Sequence, residues 1–223
     1  MPVADRKDTK TAILDAAERL MAEHGVNGVS LRSILTEAEA NSAALHYHFG
    51  SREGLVEALL ARRGHSSSVR RKELVDALAA RSAPPTVKDM VRVIVDPMAE
   101  MLRREGDGGR RFFRFLARLQ SDRADVHRRL DERHFPEMFA KMRPMMRKAC
   151  PHLSDSELER RMNMVLDTML QSLANAEFMT EEWRDDRYRD ALDEHVESLK
   201  CFVAGGLAAP LRQASNHRSA EGD

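Results

Sequence analysis

Apolar positions along this chain recur every three to four residues, and no convincing stretch alternates with period two. Ile13, Ala16, Ala17, Leu20 and Met21 stand at i, i+3, i+4, i+7 and i+8, which is one face of a helix. That spacing predicts a first helix over residues 10–24, ended by Gly25, a residue that tolerates positive φ. Ser30 is placed to cap a short second helix over residues 31–38, with Leu31, Ile34, Leu35 and Ala38 facing inward. Asn41 or Ser42 can cap a third, ending near His48. Ser51 can cap a fourth that starts at Arg52 and turns Leu55, Ala58 and Leu59 inside. A turn of only three or four residues separates the second and third helices, which is a helix-turn-helix arrangement.

The helical pattern continues beyond this block. Gly64 and Ser66-Ser67-Ser68 read as a weak point, after which residues 69–80 resume the pattern. Arg81-Ser82-Ala83-Pro84-Pro85 is a boundary. Thr86 with Asp89 forms a capping-box-like start for a helix to residue 104. Gly106-Asp107-Gly108-Gly109 reads as a loop, followed by helices over 110–120 and 123–149, the latter kinked or split by Pro136 and Pro144. Ser154 with Glu157 opens a helix to residue 179, and a last helix covers 186–203 until Gly205-Gly206 stops it. The fold class expected is all-α: residues 1–62 an N-terminal arm and three-helix helix-turn-helix domain, 63–207 a larger helical domain, and 208–223 a disordered tail.

Composition narrows the class. The chain has 223 residues, with 36 Lys plus Arg balanced by 36 Asp plus Glu, so bulk charge does not announce a nucleic-acid partner. No apolar run approaches the roughly 18–20 residues of a membrane span. The start, MPVADRKDTK, lacks the apolar stretch of a secretory signal. Cys150 and Cys201 suit a reducing cytoplasm and make no metal site by themselves. No GxSxG, GxxxxGK[ST], GxGxxG or HExxH occurs, and no Glu stands three residues before a histidine. His46 and His48, two apart on a helix, point different ways and do not form a joint metal site. The expectation is a non-enzyme with no metal and no cofactor.

The stretch from Ser30 to Arg52 carries the chemistry. Its third helix presents Ser42, Ala43, Ala44, His46, Tyr47 and His48. Small side chains let a helix approach base edges, and their methyls can meet a thymine methyl. Arg32 can bond a guanine edge with two donors. Arg52 can pair with a phosphate beside the free N–H groups at a helix start.

Residues 10–62 resemble the DNA-binding domain of the TetR family of bacterial transcriptional repressors. The carrying residues are Ile13 to Met21, Gly25, Val29-Ser30-Leu31-Arg32-Ser33-Ile34 and above all Leu45-His46-Tyr47-His48-Phe49-Gly50-Ser51-Arg52-Glu53-Gly54-Leu55. The resemblance implies that Arg32 and the third helix read bases while Ser42, Tyr47, His48 and Arg52 hold phosphates. One position departs: the family usually has glycine in the turn between the second and third helices, and here Glu39 stands there. The first 64 residues also carry 8 basic against 9 acidic groups, less basic than a dedicated DNA-binding domain usually is.

The remainder has no nucleic-acid signature. Met98, Phe112, Phe115, Leu116, Leu119, Met142, Met162, Leu166 and Met169 are read either as core or as the lining of a plastic apolar pocket. Arg110, Arg111, Arg114 and Arg118 recur beside it, as a solvated face or as the greeting for an anionic head group. Leu158, Val165, Leu173, Leu192, Val196, Leu199 and Val203 form the stripes of the last two helices. In the resembled family the corresponding pair meets its twofold mate, so these are the expected homodimer contacts. The reading is a cytoplasmic homodimeric regulator, most naturally a repressor released from a palindromic double-stranded DNA operator by a small apolar or amphipathic effector. The rival is a helical carrier that has lost DNA binding.

Overall fold

Regular structure in the computed structural model is helical throughout the described residues: backbone of 3–134, 136–176 and 186–211, and side chains of 9–122, 136–176 and 188–211. The order is α1 (Val3–His24), α2 (Leu31–Glu37), α3 (Ser42–Phe49), α4 (Arg52–Ala79), α5 (Val87–Glu105), α6 (Asp107–His134), α7 (Pro136–Ala149), α8 (Asp155–Ala174) and α9 (Asp186–Ala208). The helix starts follow from local chemistry. Ser30 Oγ accepts from the Ser33 N–H at 3.0 Å, Asn41 Oδ1 from Ala44 at 2.9 Å and Ser51 Oγ from Gly54 at 3.2 Å. Thr86 and Asp89 form a complete capping box, and Ser154 Oγ accepts from Glu157 at 3.2 Å. Each bond satisfies an N–H that has no partner within its helix.

Several expected boundaries move, some of them for a tertiary reason. Helix α1 begins at Val3, seven residues before the expected start at residue 10. Helix α4 runs unbroken through Gly64 and Ser66-Ser67-Ser68 and through the expected division at residue 62. There Ser67 and Ser68 are buried, and the Ser67 hydroxyl donates to Met101 Sδ at 3.5 Å. Small side chains that suggested a break instead let α5 approach closely.

Only Gly106 (φ 56°) interrupts the chain between α5 and α6; Gly108 and Gly109 lie inside α6. A Cβ on Gly109 would stand 3.3 Å from Leu102 Cα, so a larger residue there requires α5 to give way by a few tenths of an ångström. Residue 123 is no break, whereas Pro136 does open a new helix and Pro144 stays inside it. Helix α8 ends at Ala174, and the expected extension to residue 179 passes outside the described residues, as do residues 212–223 of the expected tail. Helix α9 passes through Gly205-Gly206 to Ala208 because Leu207 is buried. The Arg161 guanidinium also donates to the carbonyls of Gly206, at 2.9 Å, and Ala209, at 2.5 Å, which end the helix.

One apolar core joins the two halves. Ile13, Ala17 and Met21 of α1 pack in the same cluster as Met101 and Leu102 of α5 and Phe112, Phe113 and Phe115 of α6. Helix α6 packs along both α1 and α8, and α5 packs against α4, α6 and α9. No described helix is long and apolar enough to cross a membrane.

Candidate nucleic-acid interface

Helix α3 is an eight-residue helix fastened at two points. Leu45 and Phe49 enter the core, which turns the opposite face outward. Ser42, Ala43, His46 and Tyr47 are exposed there, and Arg32 of α2 is exposed beside them. Tyr47 is 71% exposed. Two of the expected contact residues lean the other way: Ala44 and His48 are half-buried, Ala44 against the core and His48 edge-on to Tyr47 with ring centroids 5.0 Å apart. His46 Nδ1 lies 3.0 Å from the Gly50 carbonyl, which locks its ring at the end of α3.

Arg52 stands apart from the expectation that it holds phosphate. Its guanidinium donates to the carbonyls of Val26 at 2.7 Å and Val29 at 2.6 Å, tying the α1–α2 connection to the start of α4. Both forks of the side chain are directed inward, so in this arrangement it braces the motif from behind.

The turn between α2 and α3 is a Schellman motif. The Ala40 N–H donates to Leu35 O at 2.9 Å and the Glu39 N–H to Thr36 O at 3.3 Å, with Ala38 as the C-cap. The residue after that cap must adopt a left-handed conformation, and Glu39 does so at φ 50°, the only non-glycine residue with positive φ among those described. The angle between α2 and α3 is therefore set by a motif built for glycine and occupied by glutamate.

The near-neutral charge of this region is explained by pairing behind the motif. The Glu18 carboxylate, 2% exposed, accepts from Arg62 at 2.5 Å and from Arg63 at 2.8 and 2.9 Å, and Arg63 also reaches Glu105 at 2.7 Å. Burial opposes the Arg63 charge, but hydrogen bonds and attraction from Glu18 and Glu105 outweigh it and hold the guanidinium above its ordinary pKa. Asp15 pairs with Arg62 and Glu37 with Arg19. These acids, on α1, α2 and α5, are paired behind the motif, and α3 itself carries no carboxylate.

Residues 13–59 match the model of bacterial regulatory proteins, tetR family, and residues 92–206 match the model of the tetracyclin repressor-like C-terminal domain. The chain belongs to the TetR family. Among its relatives, the HTH-type transcriptional regulator UidR of Escherichia coli (strain K12) is 26% identical over 74 residues, which are 33% of this chain and 38% of UidR. The HTH-type nicotine-responsive transcriptional repressor HdnoR of Paenarthrobacter nicotinovorans is 39% identical over 54 residues, 24% of this chain and 28% of that protein. The matched stretches thus span well under half of these relatives. A TetR-like transcriptional regulator from Rhodococcus sp. RHA1 shares the fold with a TM-score of 0.54 at 17% identity, covering 94% of this chain and 99% of that one. A tetR family transcription regulator from Shewanella sp. PV-4 does so with a TM-score of 0.51 at 19% identity, covering 90% and 98%.

The C-terminal candidate residues of this TetR-family chain pack in its apolar core, one of the two readings the sequence left open. Of the nine apolar pocket candidates, Met98, Phe112, Phe115, Leu116, Leu119 and Met169 are buried, and Met142, Met162 and Leu166 pack partly buried against the same core. None of them lines either of the two clefts described next to α6 and α8. A helical stripe marks a buried face; whether that face meets side chains or empty space depends on the opposing helix. The seven expected dimer contacts, Leu158, Val165, Leu173, Leu192, Val196, Leu199 and Val203, are likewise buried within one chain. The exposed large apolar residues of α8 and α9 are Met164 (63%) and Phe202 (71%), on faces that the stripe pattern did not single out.

Proposed function

We propose that this protein is a ligand-responsive repressor that binds a palindromic operator as a homodimer. The observation that carries the reading is α3, fastened inward by Leu45 and Phe49 and presenting Ser42, Ala43, His46 and Tyr47 outward beside Arg32. Such a helix fits the major groove, where Arg32 can read a guanine edge while Tyr47 and Ser42 reach phosphates.

One recognition helix covers only a half-site, so two are needed about 34–36 Å apart. Helices α8 and α9 supply a face for the second copy. Arg161 stands opposite Gly206, and Ser172 lies 2.8 Å from His195, so the two helices run antiparallel with Met164 at the level of Phe202. These two exposed side chains form an apolar pair suited to a twofold contact. Helix α4, a continuous rod from Arg52 to Ala79, begins beside α3 and packs against α5 and α7. A small molecule that binds the larger helical region shifts α4 and with it the half-site spacing. Release follows only from the ligand's differential affinity for the two states, and tenfold release needs about 1.4 kcal/mol.

Selection of random duplexes by the full chain at near-physiological salt tests this reading. The expected product is an inverted repeat with half-sites one helical turn apart, lost in Tyr47→Ala and altered in sequence in Arg32→Ala. Recovery of no enriched duplex by a folded, dimeric sample refutes it. Phe202→Glu is expected to shift the sedimenting species from dimer to monomer.

A further inference from the structure

Six arginines elsewhere among the described residues, Arg62, Arg63, Arg70, Arg81, Arg103 and Arg161, each meet a carboxylate. One wall of α6 breaks that habit. Arg110, Arg111, Arg114 and Arg118 line a cleft of about 580 Å³ between α1, α6 and α8. The acids beside them are already engaged, Asp107 with Arg110 at 2.8 Å and Glu23 with Arg19 at 3.3 Å. Arg114 Nε donates to Ala174 O at 3.3 Å, which leaves its two terminal nitrogens. Arg111 and Arg118 have no carboxylate partner among the described residues. Like charges gathered in a concavity repel one another, and the arrangement is relieved by a bound anion.

A second observation points into the same groove. A neighbouring cleft of about 520 Å³ shares Ala117, Ser121 and Gln171 with the first, and Asp167 stands at its side. Gln120 lines it, and its Oε1 is buried with no hydrogen-bond partner. A buried acceptor left without a donor costs about 1–3 kcal/mol, so a donor delivered there is favoured. The groove therefore offers guanidinium forks at one end and an orphaned acceptor further along, with Gln171 and Asn175 as polar flooring.

We propose that this groove binds a small organic anion, a carboxylate or phosphate that also carries hydroxyl groups. Its charged group sits between Arg111, Arg114 and Arg118, and a turn of the Gln120 side chain toward the groove lets a hydroxyl donate to its Oε1. Ala22 and Glu23 of α1 form one rim, so the ligand touches both the helix on which α2 and α3 pack and the helices of the larger region. That this ligand is the effector rests on the regulator reading above; that it binds does not.

The test is isothermal titration of the full chain, without DNA, using gluconate as the carboxylate probe, glucose 6-phosphate as the phosphate probe and glucose as the uncharged control. The expected result is binding of at least one anion and not of glucose, weakened by added salt. Affinity falls on the order of tenfold in Arg111→Gln or Arg118→Gln, and further in the double variant, while the unfolding midpoint stays that of the parent. Tighter binding of one anion over the other identifies the charged group. Absence of heat from both anions up to about 10 mM, or equal affinity in the double variant, overturns the proposal. A failed duplex selection with a positive titration removes the regulator and keeps the site; the converse removes the site alone.

Discussion

Replacing Glu39 with glycine isolates the strain stored in the recognition motif. Glu39 is exposed, sits at φ 50° and occupies the left-handed position of the Schellman turn that sets α3 against α2. An L-residue pays roughly 1–2 kcal/mol there because its Cβ crowds the following carbonyl. Glycine avoids that crowding, but its unfolded chain has more freedom to lose, which returns about 0.4–1 kcal/mol. The net expectation for Glu39→Gly is a gain of about 0.5–1 kcal/mol, or a Tm rise of a few degrees for a chain of this size. Thermal and urea unfolding measure it, with Glu39→Ala as the partner variant. Alanine removes the carboxylate and keeps the Cβ, so it should gain little. Equal gains in both variants would refute backbone strain and assign the cost to the charge. A loss in Glu39→Gly would mean that the glutamate side chain contributes something its exposed position does not suggest.

Three further predictions follow from the packing and hydrogen-bond geometry. Gly54→Ala places a Cβ 2.0 Å from Phe49 O, so α3 and the start of α4 must separate; a loss of about 3 kcal/mol or insoluble protein is expected, read by urea unfolding. Glu18→Ala removes the carboxylate that Arg62 and Arg63 share and leaves them Asp15 and Glu105, so it should cost about 1.5–3 kcal/mol, whereas a change under 1 kcal/mol would show that the network is solvated. Asp89 is held down to about 2, first by its hydrogen bonds from Arg81 and then, against some burial, by the Thr86 backbone and hydroxyl. Its folded value lies below the ordinary carboxylate value, so its contribution is present above pH 4 and fades as pH falls toward 2. The stability gap between parent and Asp89→Asn should close over that window, and a gap that stays constant contradicts the assignment.

Local chemistry alone settled much of this protein. Ser30, Asn41, Ser51, Thr86 and Ser154 cap where their side chains and the following apolar stripe require, because a cap bond spans only three residues. The block from Leu45 to Leu55 carried the motif for the same reason: Leu45 and Phe49 at helical spacing fix which side of α3 faces out. Glu39 was visible as a misfit before its φ was known.

Longer-range packing decided the rest. Whether Ser66-Ser67-Ser68 breaks a helix depends on whether another helix seals it, and α5 does. Whether Gly205-Gly206 ends α9 depends on Leu207 and on a guanidinium 45 residues away. Arg52 was read as a phosphate contact, but two carbonyls from the α1–α2 connection claim it. The stripes of α8 and α9 are the buried faces the pattern implied, yet only the assembled chain shows that the partner they meet is their own core. The arginine wall of α6 was present in the sequence as four residues at helical spacing. What makes it a site is the space between α1 and α8, and no single segment encodes that space.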